Sequence, residues 1–167
     1  IYEVENHKIG YLVFDGFWEV SEAELKKEFE VFQKAKITEL IVDLRYNGGG
    51  SVPIAEMLIG MIGGTKVDGK VITNVVHNDK KKLRNSSTKS NYKGPKVEID
   101  QVVFLTTDGS ASSSELVINS LEPYMDVTIV GSATHGKPVG MYVLSVEALD
   151  LAILPISFKS TNAEGYG

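Results

Sequence analysis

Residues 109–115 read Gly-Ser-Ala-Ser-Ser-Ser-Glu, and Lys137 follows Ser112 by 25 residues. The chain has no cysteine, so cysteine nucleophiles, thiolate metal sites and disulfides are excluded. A serine hydroxyl is a weak nucleophile until a base takes its proton. Ser112 and Glu115 also have the spacing of a capping box, which stabilises a helix by about 1 kcal/mol and needs no chemistry. Two features raise Ser112 above that reading. The turn from Gly109 to Ser113 is made of small residues that a substrate backbone could approach closely. The helix expected to start there offers free amides and a dipole to developing negative charge.

The base has few candidates. His7 precedes the first strand and His77 ends the third. His135 lies in a suitable loop, but nothing evident orients it. Lys137 shares that loop, in Thr-His-Gly-Lys-Pro, between the apolar runs 127–130 and 139–143. A lysine in a dry setting can act as general base with a pKa brought to about 7–8; a lone lysine in a Gly-Pro turn otherwise belongs to the surface. The third piece is Asp43-Leu-Arg-Tyr-Asn-Gly-Gly-Gly50. Successive glycines allow a tight turn and expose bare N–H groups, so Gly49 or Gly50 is an anion-hole candidate, with a plain flexible turn as the other reading. Neither G-x-G-x-x-G nor G-K-[ST] is present, so a nucleotide loop is not indicated.

Elements must bring these three loops together. Residues 9–14, 39–45, 70–78, 98–107 and 127–131 read as strands, and 139–146 and 151–158 as two later ones. Helices are expected at 21–36, where Ser21 and Glu24 suggest a capping box and Leu25, Phe29 and Phe32 share a face, and at 54–62 and 113–125. Alternating strands and helices predict one α/β domain over 1–167 with parallel crossovers, its reactive loops at strand carboxyl ends. Residues 79–96 show no apolar period. They hold Lys80, Lys81, Lys82, Arg84, Lys89, Lys93 and Lys96 without an acid between them, which reads as a solvated, mobile loop, with a lid or partner contact as the alternative. Ser86-Ser-Thr-Lys89 matches S-x-x-K, but that dyad needs a helix, and this stretch reads as loop.

With 167 residues, 43% hydrophobic and 23% charged, the composition is that of an ordinary globular domain. A net charge of −5 argues against nucleic acid as the main partner. No apolar run approaches the ~20 residues of a membrane span. The opening Ile-Tyr-Glu-Val-Glu-Asn has no signal-peptide pattern, and the two ends read as those of a piece of a longer protein.

The three loops, in this order, resemble the carboxyl-terminal processing (tail-specific) serine peptidase family, whose core reads roughly D-[LI]-R-x-N-G-G-G, then S-A-S-A-S-E, then G-x-x-T-x-G-K. The resemblance covers about residues 9–158. It implies a ClpP/crotonase-like core of stacked strand-strand-helix units, Ser112 as nucleophile and Lys137 as base. It implies backbone N–H donors for the oxyanion at Gly50 (or Gly49) and Ser113, and a supporting role for Glu115. No metal or cofactor is expected; protein or peptide substrates with unfolded or exposed tails are, as is export to the periplasm or cell envelope. Some members carry an aspartate 11 residues after the nucleophile; here Pro123 stands there beside Glu122, so no third catalytic residue follows. The PDZ module common in the family has no counterpart in this chain. Oligomeric state is left open. The rival reading is a non-catalytic module of the same fold that holds an apolar ligand or peptide.

Overall fold

The computed structural model describes residues 1–167. In chain order the elements are β1 (Tyr2–Val4), β2 (His7–Val13), α1 (Ser21–Ala35), β3 (Glu39–Asp43), α2 (Val52–Gly63), β4 (Val71–Val76), β5 (Ser86–Lys89), β6 (Gln101–Thr106), α3 (Ser113–Leu121), β7 (Asp126–Gly131), β8 (Val139–Met141), β9 (Leu144–Val146), β10 (Leu151–Ile153) and β11 (Ile156–Thr161). A five-stranded sheet runs β1-β2-β3-β6-β7, parallel from β2 onward. A second sheet, β5-β4-β11-β8, is antiparallel throughout, and β9 pairs with β10 as a separate hairpin. The α/β expectation holds.

One face of the parallel sheet carries the core. Leu40, Val42, Val102 and Phe104 alternate inward and are buried, while Ile41 and Val103 on the other face are only half-buried. Helix α1 packs Leu25, Phe29 and Phe32 onto that inner face, and α2 and α3 add Leu58, Ile59, Val117 and Leu121. Gly10 on β2 has only hydrogen where a Cβ would stand 2.8 Å from Ile37 and 3.0 Å from Leu40, which lets α1 and its following turn close down on the sheet.

Several expectations need correction. The strand over 70–78 does not join the parallel sheet; as β4 it belongs to the antiparallel one. Residues 79–84 form two short 3-10 turns kinked at Lys81 and 86–89 a strand, not a continuous loop; β5 is a polar edge strand and so carries no apolar alternation. The run 139–146 divides into β8 and β9, and 151–158 breaks before Ile156, where Pro155 supplies no ladder N–H. The third helix ends at Leu121, two residues before Pro123. Ser21 does not cap α1: it lies inside the first turn, after Val20, and its hydroxyl donates to the Gly16 carbonyl.

Candidate active site

Three loops leave the carboxyl ends of β3, β6 and β7 and meet over the N-terminus of α3. The first is anchored by Asp43, whose carboxylate takes a two-pronged contact from Arg45 (Nε 2.9 Å, Nη2 2.7 Å) and the Tyr11 hydroxyl at 2.7 Å. The Arg45 guanidinium foremost, helped by Tyr11 and against the effect of burial, pulls the Asp43 pKa down to about 2. Beyond it, Asn47 is completely buried. Its Nδ2 donates to Phe14 O at 2.8 Å, its Oδ1 accepts from Gly49 N–H at 2.9 Å, and its carbonyl receives Ala111 N–H at 3.1 Å and Ser114 Oγ at 2.8 Å. One side chain thus sets the glycine turn, and its peptide group docks that turn on the serine turn.

Gly49 and Gly50 have φ of +100° and +140°, a region open to glycine and strained for other residues. A Cβ on Gly49 would stand 2.7 Å from Ala111 O and 2.9 Å from Ser113 N; one on Gly50 would stand 2.4 Å from Phe17 O. Phe17 lies alongside, with its N–H on Gly49 O and its carbonyl receiving Ser51 N–H. The Gly50 N–H donates to no protein group, whereas the Gly49 N–H is taken by Asn47.

The serine cluster divides by what each hydroxyl does. Ser110 Oγ donates to Leu44 O at 2.7 Å, Ser113 Oγ to Gly50 O at 2.8 Å and Ser114 Oγ to Asn47 O. Those three knit the serine turn to the glycine turn. Ser112 donates to none of these carbonyls and lines the cavity; with Glu115 it also forms the expected capping box at the start of α3. Its φ of +56° and ψ of −111° are unusual for a residue with a Cβ; such strain costs on the order of 1–3 kcal/mol and persists only where the surroundings impose it. The Ser113 N–H, at the first turn of α3, has no protein acceptor.

Glu115 joins the second loop to the third. Its Oε2 accepts Ser112 N–H at 2.8 Å and Lys137 N–H at 2.9 Å, and its Oε1 accepts Gly136 N–H at 2.6 Å and Thr134 Oγ1 at 2.7 Å. Burial pushes its pKa up, but these four donors outweigh that, and the carboxyl lies below the ordinary glutamate range. The third loop is also held by His135 N–H on Ser110 O and by Thr106 Oγ1 on Ser132 O. Lys137 is half-buried, in no ion pair, and lines the same cavity of about 100 Å3 as Ser112. Val52, Leu116, Val139 and Phe158 give that cavity its apolar wall.

Of the residues singled out in the three loops, Ser112, Ser113, Glu115 and Lys137 line the cavity and Gly49 and Gly50 lie against its serine turn, whereas His135 does not line it. No histidine lines it: His7 pairs with Glu39 at 2.6 Å, and His77 bonds Tyr142. Glu122 is exposed at the opposite end of α3 from Ser112. Ser86 and Lys89 lie on strand β5, which lacks the helical geometry of an S-x-x-K dyad. Reasoning from sequence gave no role to Asn47 or Thr134. Both stand inside the motifs of the resemblance, Asn47 in D-[LI]-R-x-N-G-G-G and Thr134 in G-x-x-T-x-G-K, so their positions were visible and their contacts were not.

The fold that carries these loops recurs in solved structures. The chain superposes on an S41 protease from Bacteroides fragilis with TM-score 0.92 at 26% identity, over 98% of this chain and 45% of that one. The photosystem II D1 C-terminal processing protease shares the fold, with TM-score 0.76 at 22% identity over 95% of this chain and 39% of that one. The chain belongs to peptidase family S41, whose family model matches residues 8–163. Among named relatives, the carboxy-terminal processing proteases CtpB and CtpA of Bacillus subtilis are each 28% identical over 81% of this chain, covering 26% and 27% of their own lengths. The chain thus spans about a quarter of the length of these curated relatives.

Proposed function

We propose that this domain is the catalytic core of a serine endopeptidase of the C-terminal processing type, acting through Ser112 and Lys137. The observation that carries the reading is the Glu115 staple: one carboxylate holds the backbone amides of both residues, and both residues line one cavity. Unprotonated Lys137 Nζ takes the Ser112 proton as Oγ bonds to the scissile carbonyl carbon. The resulting oxyanion is received by Ser113 N–H and Gly50 N–H. Gly50 is favoured over Gly49 because the Gly49 N–H already has an acceptor. Each such donor contributes about 3 kcal/mol to the barrier reduction. The lysinium returns the proton to the leaving amine as the C–N bond breaks. Water, deprotonated by the same amine, then cleaves the acyl-enzyme and frees Ser112. No step calls for a metal or cofactor.

The substrate is an unfolded or tail-exposed polypeptide whose side chain enters the apolar cavity, and the protein works outside the cytoplasm, in the cell envelope. The test is digestion of casein by the full-length protein. Ser112→Ala and Lys137→Ala are each expected to slow it at least a hundredfold with unchanged melting temperature. Digestion by either variant at the wild-type rate would rule out the dyad.

A further inference from the structure

Two features at one end of the antiparallel sheet are not used by the site. Strand β4 runs antiparallel to β11, with Val76 opposite Lys159, and β11 pairs Ile156 with Met141 at the end of β8. The segments that follow β4 and β8 therefore leave the sheet at the same end. After β4 comes the kinked 3-10 segment Asp79–Arg84; after β8 comes the β9–β10 hairpin. Their roots are clamped together: His77 Nε2 lies 3.0 Å from Tyr142 Oη, the two rings stack 14° from parallel, and Phe158 packs against both.

The two projections differ in chemistry. The first presents Lys80, Lys81, Lys82 and Arg84, all exposed and none in an ion pair, against a single acid, Asp79. In their midst Leu83 is 103% exposed, touching nothing. The second has an apolar face: register places Leu144 opposite Ile153 and Val146 opposite Leu151, and Leu144, Leu151 and Ile153 are all more than half exposed. Within residues 1–167, whose net charge is −5, four unpaired cations around a protruding leucine, beside an exposed apolar hairpin, form a local surface of opposite character.

We propose that this end of the molecule docks on an anionic lipid bilayer, with the cations at the phosphate level and Leu83 and the β9–β10 face entering the interface. Lysine and arginine near an anionic surface are attracted to headgroups, and apolar side chains flanked by cations are the pattern of interfacial insertion. A protein partner would hold an anchor side chain in a formed pocket; Leu83 is a projecting knob that needs only a soft medium to enter. Phe158 is both part of the clamp and part of the cavity wall, so docking would place the cleft beside the membrane. The proposal stands independently of the peptidase reading.

The test uses the full-length protein, with any cysteine outside residues 1–167 replaced by serine; residues 1–167 have none. Leu83→Cys, Leu151→Cys and, on the far helix α1, Glu30→Cys are each labelled with an environment-sensitive fluorophore and mixed with phosphatidylglycerol or phosphatidylcholine vesicles. Fluorescence should rise at positions 83 and 151 with phosphatidylglycerol alone and stay flat at position 30. In co-sedimentation, the K80E/K82E/R84E variant and, separately, Leu83→Asp should each lose roughly tenfold or more in vesicle affinity, with unchanged circular dichroism. The proposal is overturned by no response at 83 and 151, by an equal response at all three sites, or by equal binding to neutral vesicles. It is equally overturned if Leu83→Asp binds like wild type, or if sedimentation velocity shows the hairpin buried in a dimer that does not bind lipid.

Discussion

Asn47, Ser110 and Ser114 are completely buried polar residues, and each bonds the backbone of a neighbouring loop. Beyond Lys137 the pattern is inverted: Leu144, Leu149, Leu151, Ile153 and Ile156 are apolar and stand in solvent. A buried polar group without a partner costs about 1–3 kcal/mol, so a cluster in which every member is satisfied leaves the three loops few alternative arrangements. That rigidity is what a positive φ at Ser112 requires. The hairpins beyond Lys137 carry no such constraint; there the sequence shapes a surface. One region is closed upon itself by its own hydrogen bonds, and the other leaves apolar side chains in solvent.

Glycine substitutions break the first region most sharply. Gly49→Ala must place a Cβ at φ +100° and within 3 Å of the serine turn. Strain and overpacking together are expected to cost roughly 2–5 kcal/mol, read as a lowered urea midpoint, with casein digestion lost. Gly48→Ala is the matched control, because a Cβ there has nothing within 4 Å; it should cost less than about 1 kcal/mol. Equal effects from the two would mean that the loop is not held as tightly as its hydrogen bonds imply.

Acid should unfasten the same region by a smaller amount. Asp43 and Glu115 both have folded pKa values below their ordinary ones, Asp43 at about 2 against 3.8 and Glu115 lowered from 4.5. A depressed carboxyl contributes stability that is complete above its unfolded pKa and is lost as pH falls through the folded one. Stability should therefore hold from neutrality to about pH 4.5, then fall as Glu115 and, down to about pH 2, Asp43 take up protons. Glu115→Gln should remove part of this slope and lower stability at pH 7, because an amide NH2 replaces one of two oxygens that face four donors. Urea midpoints of both proteins between pH 7 and pH 3 check this; parallel curves would show that Glu115 does not titrate as described.

How much of this was readable before any coordinates follows the same divide. The parallel strands and α1 announce themselves because apolar residues recur with the period of the element, and the loops around Ser112 and Lys137 because rare residue types gather there. Asn47 and Thr134 stand in the motifs of the resemblance, but their roles escaped because their work is done by side-chain bonds to distant backbone or to a carboxylate, which leave no period. Strand β5 escaped because an edge strand of Ser-Ser-Thr-Lys alternates nothing apolar. Ser21 misled because S-x-x-E is satisfied equally by a serine inside the helix that bonds elsewhere. The split at Pro155 was open to reading, since a proline cannot donate to a ladder.

The smallest effect is expected where the largest apolar surface is exposed, and that makes it the sharpest test of the divide. Leu151 stands more than half in solvent on a two-stranded hairpin, so its removal deletes little buried area. Leu151→Ser should shift stability by less than about 0.5 kcal/mol, against the 2–5 kcal/mol that a fully buried leucine such as Leu58 loses on truncation to alanine. Differential scanning calorimetry of Leu151→Ser and Leu58→Ala reads both. If Leu151→Ser destabilised the isolated chain as much as the core change, the hairpin would be bearing structure through contacts within this chain, and the contrast between a region closed by its own bonds and one left open to solvent would fail. A negligible shift in the isolated chain, joined to weakened retention on phosphatidylglycerol vesicles, is the combination that a side chain reserved for an external surface must give.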